Sequence, residues 1–335
     1  MTRPKRFTAI VVGAGLMGRW HADAIERCGG RVVAIVDSDP KRARALAAHH
    51  GSCGAHPDLS AALTQESATA VHVCSPTSTH DLFACAAIDA GCHVLVEKPL
   101  APTVAVTKRL LDRAAERGVL LCPVHQFVVQ PGVIRIGDLL PELGVVRHVD
   151  LVMCSAGAAH QSDSKCDEIA ADILPHPFSL LERLLPERFS TFTWDLAHVA
   201  PGELRLWAEG QGLTAGILVS MSGRPTMNAL RLIAERGTVH ADLFHGFAVR
   251  EAAGVSRARK ILRPFALSAS TLSMAATTLA KRLIHSEPAY PGLRELVRRF
   301  YTAIADGGQS PIRPAETLAV AAAYEQVLRA IQRPG

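Results

Sequence analysis

Several common signals are absent from this chain of 335 residues, and each absence removes a class of protein. No uncharged apolar run reaches the ~18–20 residues that a membrane-spanning helix requires. The net charge of +5 is spread along the chain, without the long basic block that is typical of nucleic-acid binding. Charged residues make up 20% and hydrophobic residues 48%, the composition of a folded globular protein. We therefore expect no membrane span and no nucleic-acid partner.

Paired metal-ligand motifs are missing as well. The eight cysteines show no Cys-x-x-Cys spacing, and the fifteen histidines form no His-Glu-x-x-His motif, so no metal ligand is assigned. Several cysteines lie within apolar patterns, as small buried side chains do in proteins of a reducing compartment. A strand pattern, not a cleavable apolar region, follows the basic N-terminus. We expect no signal peptide and a cytoplasmic location.

What the chain does have is a glycine-rich turn close to its start. An apolar run over 7–12 leads into Gly13, Gly15 and Gly18 and then changes to helical spacing. Gly13 permits a sharp turn, Gly15 lets a pyrophosphate approach the backbone, and Gly18 lets the helix pack closely on the strand. The first N–H groups of that helix then face the anion. The pattern predicts a strand, a phosphate-binding turn and a helix.

An acidic residue follows the next strand at the expected distance. Asp37 comes directly after the apolar run 31–36, close to the ~20-residue separation of an acid that binds the adenine ribose. Its carboxylate accepts ribose hydroxyls and repels a 2′-phosphate, so we favour NAD. The basic residues Lys41, Arg42 and Arg44 leave NADP open. A purely helix-capping Asp37 is the alternative interpretation.

Two further strand ends carry polar residues. Strand and helix patterns alternate over 1–125, which predicts an α/β Rossmann domain, a doubly wound parallel sheet of six strands. One strand ends in Ser75-Pro76-Thr77, with His80 shortly after it, and the next ends in Glu97-Lys98-Pro99. Because ligands gather at the carboxyl ends of parallel strands, these residues are candidates for the site. A surface ion pair of little consequence is the alternative for the two charges.

The pattern changes after residue 125. Strand-like runs follow one another without helices long enough for crossovers, at 144–153 and near 188–194, 203–208, 213–221, 228–234 and 237–241. Such a succession predicts an open, mainly antiparallel sheet in a second domain of α+β type over 126–335. An open sheet leaves one face for water or a partner, so we expect a homo-oligomer, dimer or tetramer.

One helix of this second domain carries two candidate chemical groups. It is predicted over 168–185 and contains Asp172 and His176, which lie four residues apart and so on one face. Pro175 and Pro177 flank the histidine, which predicts a kink at the helix start or within it.

A further segment, 255–285, is basic at both ends and rich in Ala, Ser, Thr and Leu between them. We interpret it as a helical insertion. A core or oligomer-contact helix is the favoured role, and a lipid-facing surface stays open because the basic-flanked apolar form is compatible with one.

Four separated motifs resemble those of a known family, the Gfo/Idh/MocA oxidoreductases. They are Gly13-Ala14-Gly15-Leu16-Met17-Gly18 with His21, Ser75-Pro76-Thr77 with His80, Glu97-Lys98-Pro99-Leu100, and Asp172-x-x-x-His176. The resemblance implies an NAD-binding Rossmann domain followed by a substrate domain. It also implies hydride transfer between nicotinamide and a secondary alcohol or ketone of a small molecule, namely a sugar, cyclitol or sugar-derived intermediate.

The same resemblance implies residue roles. Lys98 would stabilise the developing alkoxide, His176 would act as acid and base, and Asp172 would orient the substrate hydroxyl or the imidazole. A buried core histidine is the alternative for His176. The expected cofactor contacts are Gly13, Gly15, Leu16, Met17, Gly18, Asp37, Ser75, Pro76, Thr77, His80, Glu97, Lys98 and Gln126.

Departures from the family pattern leave the substrate open. The stretch 168–171 lacks the glycine pair that often precedes the acid, and 124–131 lacks an arginine that many members carry. Three other functions stay open from sequence: a redox-neutral glycosidase or lyase that oxidises its substrate transiently, an imine reductase, and a cofactor-binding regulator without chemistry.

Overall fold

The computed structural model describes residues 7–254, 256–284 and 292–331. They form two compact units, one from the residues up to 125 together with 293–322, the other from 126 to 292 together with the residues from 323 onward. The expected division into domains over 1–125 and 126–335 stays a prediction; residues 293–322 are found with the first unit.

The first unit is built on a parallel sheet of six strands. They are β1 (Thr8–Val12), β2 (Arg31–Val36), β3 (Gly54–His56), β4 (Ala70–Val73), β5 (His93–Val96) and β6 (Leu121–Pro123). Their order is β3-β2-β1-β4-β5-β6, and every pairing is parallel. The central strands are apolar and buried on both faces, as expected where helices cover a sheet on two sides. The predicted doubly wound sheet is confirmed.

Five helices follow strands of this sheet, and three of them begin at side chains that accept backbone N–H groups. The five are α1 (Leu16–Arg27), α2 (Pro40–Ala47), α3 (Leu59–Gln65), α4 (His80–Asp89) and α5 (Val104–Glu116). Asp39, Asp58 and Thr103 cap α2, α3 and α5 respectively. Capping of this kind fixes where these three helices start.

The second unit contains a mixed sheet of seven strands. They are β7 (Val146–Cys154), β8 (Thr193–Ala200), β9 (Glu203–Gly210), β10 (Leu213–Ser220), β11 (Met227–Ala234), β12 (Gly237–Asp242) and β13 (Phe247–Ala252). Their order is β13-β12-β11-β7-β10-β9-β8, and every pair except β7–β10 is antiparallel. This arrangement confirms the predicted mainly antiparallel sheet.

The remaining helices are α6 (Pro131–Leu143), α7 (Asp163–Ile173), α8 (Pro175–Leu184), α9 (Pro186–Phe189), α10 (Arg257–Ile284), α11 (Leu293–Asp306) and α12 (Pro314–Ile331). No helix in the described part of the chain is long and apolar enough to cross a membrane.

The prediction of a single helix over 168–185 is wrong. The chain forms α7 and α8 with a break at Leu174, so Asp172 and His176 lie on successive helices. Pro175 and Pro177 have no N–H, so the carbonyls of Ala171 and Ile173 lose their usual helical donors. The expected kink is therefore a break between two helices.

One strand prediction needs correction, and two strands were missed. The run near 188–194 begins five residues too early, because 186–189 form α9 and β8 starts at Thr193. The short edge strand β3 and the last strand β13 were not foreseen individually. Both lie at the edges of their sheets, where a strand needs less of the apolar patterning that reveals it.

Candidate functional site

The turn between β1 and α1 requires glycine at two of its positions. Gly13 has φ +98°, and a Cβ there would lie 2.6 Å from the Cys74 carbonyl oxygen. A Cβ on Gly18 would lie 1.8 Å from the Gly13 carbonyl oxygen. Both contacts are impossible for a larger residue, so the close passage of α1 over the strands depends on these glycines. The sequence predicts a sharp turn at Gly13 and close packing at Gly18, and the structure shows both.

Gly15 differs, because nothing in the protein lies near its missing side chain. A Cβ there would meet no atom within 4 Å, and the residue is the N-cap of α1. Leu16 is exposed and Met17 half-buried in the following turn. The open side of Gly15, next to the N–H groups that start a helix, is a cradle that fits a phosphate group.

The Asp37 carboxylate is held beside this cradle by the backbone. One oxygen accepts from the Ala14 N–H at 2.8 Å, and the other accepts from the Asp39 N–H at 2.9 Å. The helix-capping interpretation of Asp37 is wrong, because Asp39 caps α2 through the N–H groups of Lys41 and Arg42. A fixed carboxylate near the phosphate cradle fits the ribose-binding role predicted for it.

His80 ties together the loops that follow β4 and β5. Its Nδ1 lies 2.8 Å from the Pro99 carbonyl oxygen, and its Nε2 lies 2.9 Å from the Ser75 carbonyl oxygen. The Thr79 hydroxyl donates to the Ser75 hydroxyl oxygen at 2.8 Å. The His80 ring thus holds Ser75, Pro76 and Thr77 in place, and its predicted contact with a cofactor stays a prediction.

A buried hydrogen-bonded chain lies behind Glu97. The Glu97 carboxylate contacts His21 Nε2 at 3.1 Å, and His21 Nδ1 contacts His72 Nδ1 at 2.9 Å. His72 Nε2 in turn lies 2.9 Å from the Tyr301 hydroxyl oxygen. The second Glu97 oxygen accepts from the Lys98 N–H at 3.2 Å. The chain therefore joins the residue before Lys98 to α1, β4 and α11.

Glu97 is ionised in this buried network. Burial alone would raise the pKa of Glu97, but its hydrogen bond to His21 and the charges of His21 and Lys98 outweigh burial and hold that pKa below its usual value. Burial and the neighbouring His21 lower the pKa of His72, so its ring is neutral. Burial raises the pKa of Tyr301, whose hydroxyl keeps its proton.

In the second unit, His176 lies in the first turn of α8. Its ring is buried and stacks on Phe127 with centroids 4.5 Å apart and planes inclined by 24°. The Ser179 hydroxyl donates to the His176 carbonyl oxygen at 2.9 Å and so braces the backbone at this position. Asp172 is half-buried, and its charge acts with burial to raise the pKa of Tyr324.

Gln126 opens a short 3-10 helix, Gln126–Val129, and is buried. Its amide oxygen has no hydrogen-bond partner among the described residues. A Cβ on Gly292 would lie 2.2 Å from the Gln126 carbonyl oxygen, so the backbone at Gly292 passes close to this turn. Such a buried amide oxygen can accept a hydrogen bond from a ligand or a water molecule.

The site residues divide between the two units. The glycine turn, Asp37, Ser75-Pro76-Thr77 and Glu97-Lys98 follow the neighbouring strands β1, β2, β4 and β5 of one parallel sheet, which brings them to one edge. Asp172, His176 and Gln126 belong to the second unit. Within the described ranges, no three His, Cys, Asp or Glu side chains form a cluster that could hold a metal ion.

Three residues of the site escaped sequence reasoning: His72, Tyr301 and Phe127. His72 is a polar residue inside the apolar strand β4, which is a signal for a buried partner. Its partner Tyr301 is 229 positions away, a separation that no local pattern reveals. Phe127 had no signal beyond its apolar character.

Comparisons with known proteins agree with this geometry. Residues 7–125 match the GFO_IDH_MocA family model, described as an oxidoreductase family with an NAD-binding Rossmann fold. Two similar curated proteins are a 4-carboxy-2-hydroxymuconate-6-semialdehyde dehydrogenase from Sphingobium sp., 34% identical, and inositol 2-dehydrogenase 1 from Saccharopolyspora erythraea, 40% identical. The alignments cover 35% and 32% of this chain, and only 40% and 33% of the relatives' own lengths.

The likeness in fold extends over nearly the whole chain. A solved structure of a UDP-N-acetylglucosamine 3-dehydrogenase from Acidithiobacillus ferrooxidans superposes with a TM-score of 0.75 at 21% identity, over 97% of either chain. The fold is therefore shared with that enzyme.

We predict that His72 makes the protein less stable as the solution becomes mildly acidic. Because the folded pKa of His72 is lowered, only the unfolded chain binds its proton as the pH falls below the ordinary value of 6.5, and the stability present above that value is lost. His72→Asn should lower the free energy of unfolding by about 1–3 kcal/mol near neutral pH, because the Tyr301 hydroxyl loses its partner. The variant should lose less further stability between about pH 7 and about pH 5 than the wild type.

Urea unfolding at the two pH values measures this difference. His49→Asn, at an exposed position, is the matched control, and its stability should depend on pH as that of the wild type does. An unchanged pH dependence in His72→Asn would contradict a neutral buried His72.

Proposed function

We propose that this chain, which belongs through residues 7–125 to the Gfo/Idh/MocA oxidoreductase family, is an NAD-dependent dehydrogenase or reductase. Its substrate would be a secondary alcohol or ketone of a sugar, cyclitol or sugar-derived intermediate. The inositol and UDP-N-acetylglucosamine dehydrogenases among its relatives and structural neighbours act on compounds of this kind.

The single observation that carries the proposal is the set of groups at one edge of the parallel sheet. The open Gly15 cradle, the fixed Asp37 carboxylate and the Glu97-Lys98 pair follow strands that are neighbours in the order β2-β1-β4-β5. A phosphate cradle alone fits many ligands. A ribose-binding acid and an ammonium group at the same edge fit a dinucleotide together with a polar substrate.

The first unit contributes the residues that would hold NAD. The helix start at Gly15, Leu16 and Met17 would receive the pyrophosphate, and Asp37 would accept the adenosine ribose hydroxyls. Ser75-Pro76-Thr77 and Glu97, with Gln126 of the second unit, complete the proposed contacts. When bound, NAD supplies the acceptor or donor of a hydride.

The chain's own residues would manage charge and protons at the substrate. The Lys98 ammonium would hydrogen-bond the substrate oxygen and stabilise the negative charge that develops on it. His176 would accept or return the hydroxyl proton, since an imidazole titrates near neutral pH. Asp172 would orient the substrate hydroxyl. Phe127 stacks on the His176 ring and limits its movement, which keeps the proton-transferring nitrogen in one position.

We predict that Asp37 sets the preference for NADH over NADPH. Asp37→Asn removes the charge that repels a 2′-phosphate and weakens the contact with the ribose, so NADH should bind about tenfold more weakly and the preference should narrow. Fluorescence titration with both dinucleotides measures the two dissociation constants. Asp39→Asn is the matched control, because asparagine caps a helix as well as aspartate does, and it should leave both constants unchanged. Equal effects of the two variants would contradict the role of Asp37.

We predict that Lys98→Met and His176→Asn each lower turnover by about 100-fold or more, the range for loss of a charge-stabilising or acid–base group. NADH affinity should fall much less than turnover in both variants, because the phosphate cradle and Asp37 are unchanged; Lys98→Met also loses one expected cofactor contact. Absorbance of reduced nicotinamide, followed with a panel of sugars, inositols, uronic acids and nucleotide sugars, measures the activity and identifies the substrate class.

Ser179→Ala is the control for the second unit, since its hydroxyl contacts only the backbone of His176 among the hydrogen bonds described here. It should retain most of the activity. Product formation without net change in NADH would contradict the proposal and indicate redox-neutral chemistry. Tight NADH binding with no conversion across the panel would indicate a regulator.

A further inference from the structure

The longest helix of the structure, α10, leaves its apolar side uncovered. It packs against β13 of the same unit, and none of its described side chains is buried. Leu267, Thr271, Met274 and Thr278 are half-buried and recur at helical spacing on the side that meets the protein. Of the two favoured roles, a core helix is therefore wrong, and an oligomer contact stays a prediction.

The opposite side of α10 carries a continuous apolar stripe. Its members are spaced by four and seven residues, which places them on one face: Ile261, Phe265, Leu272, Leu279 and Leu283. Phe265, Leu272 and Leu283 are 73%, 72% and 71% exposed. Alanines at 258, 269, 276 and 280 fill the positions beside them. At ~1.5 Å per residue the stripe is ~33 Å long.

The charge of α10 is of one sign and is confined to its ends. The helix has no acidic residue, and its basic residues are Arg257, Arg259, Lys260, Arg263, Lys281 and Arg282. Arg263 forms an ion pair with Glu251 of β13, whereas Arg257, Lys260 and Lys281 are exposed. The segment 264–280 between the basic ends carries no charge.

This charge pattern decides between two occupants of the stripe. A second copy of the chain, paired through a two-fold axis, would bring the same residues of two α10 helices together. Basic ends would then face basic ends, with no acid on either helix to compensate. An anionic lipid surface offers apolar depth for the stripe and negative charge for both ends.

We propose that α10 lies flat on an anionic bilayer surface, with the stripe from Ile261 to Leu283 in the headgroup region and the exposed basic residues of its ends on the lipid phosphates. The helix does not span the bilayer, in keeping with the absence of any spanning helix in the described part of the chain. This proposal is independent of the redox function, because no residue of the stripe belongs to the candidate site.

Flotation of the full-length protein with vesicles tests the proposal. Vesicles of phosphatidylcholine mixed with phosphatidylglycerol should carry the protein, and phosphatidylcholine alone should carry much less. Phe265→Ser combined with Leu272→Ser should weaken binding by roughly tenfold or more, because two apolar side chains are lost from the stripe. Lys281→Ala should weaken it about fivefold and reduce its salt dependence.

Leu82→Ser is the matched control, since Leu82 is 66% exposed on α4 and lies outside the stripe. It should bind vesicles as the wild type does. Circular dichroism should be unchanged in every variant, because the altered side chains face away from the protein; if the double serine variant fails to fold, Lys281→Ala decides.

Three results would overturn the proposal. They are absence of wild-type binding to anionic vesicles, binding that survives both the double serine change and Lys281→Ala, and vesicle-independent dimers that the double serine change dissociates. The last result would make a second copy of the chain the occupant of the stripe. NADH binding, measured on the same samples, is expected to be equal in all of them.

Discussion

The hydrogen bond between His21 and Glu97 is the interaction on which the arrangement of the first unit depends. It joins the helix that follows the glycine turn to the end of β5, and so fixes Lys98 relative to the phosphate cradle. A buried carboxylate is stable only when paired, and here the pairing extends through His72 to Tyr301. The same bond that stabilises the charge of Glu97 therefore sets the geometry of the candidate site.

Sequence reasoning succeeded where the physical cause is local. The glycine turn is set by residues within six positions, and the structure shows the predicted sharp turn at Gly13 and close packing at Gly18. Pyrophosphate binding at Gly15 stays a prediction. Three of the four motifs behind the family resemblance lie within residues 7–125, the part of the chain that matches the family model. Reasoning failed where the cause is non-local or depends on a missing donor. The contact of His72 with Tyr301 needs the folded chain, and the break at Leu174 reflects two prolines whose effect on the helix was foreseen without its extent.

The two units differ in how much of their function can be inferred. The curated relatives align over about a third of this chain, and the structural likeness of the rest comes at 21% identity. A fold tolerates such divergence, because a sheet needs only apolar alternation on its covered face. A substrate pocket does not, since specificity depends on a few polar groups. The nature of the cofactor therefore follows from the first unit, and the substrate has to be found by experiment.

The exposed stripe on α10 shows why amphipathic patterns need a structure for their interpretation. From sequence, an apolar segment flanked by basic residues favours a core helix or an oligomer contact and leaves a lipid surface open. The structure excludes a core helix. The side of α10 that faces the protein carries Leu267 and Met274, and the stripe lies on the exposed side. Charge then separates the other two, since a helix with basic residues at both ends and no acid repels its own copy and attracts an anionic surface. Burial and charge together thus identify a partner that periodicity alone leaves undecided.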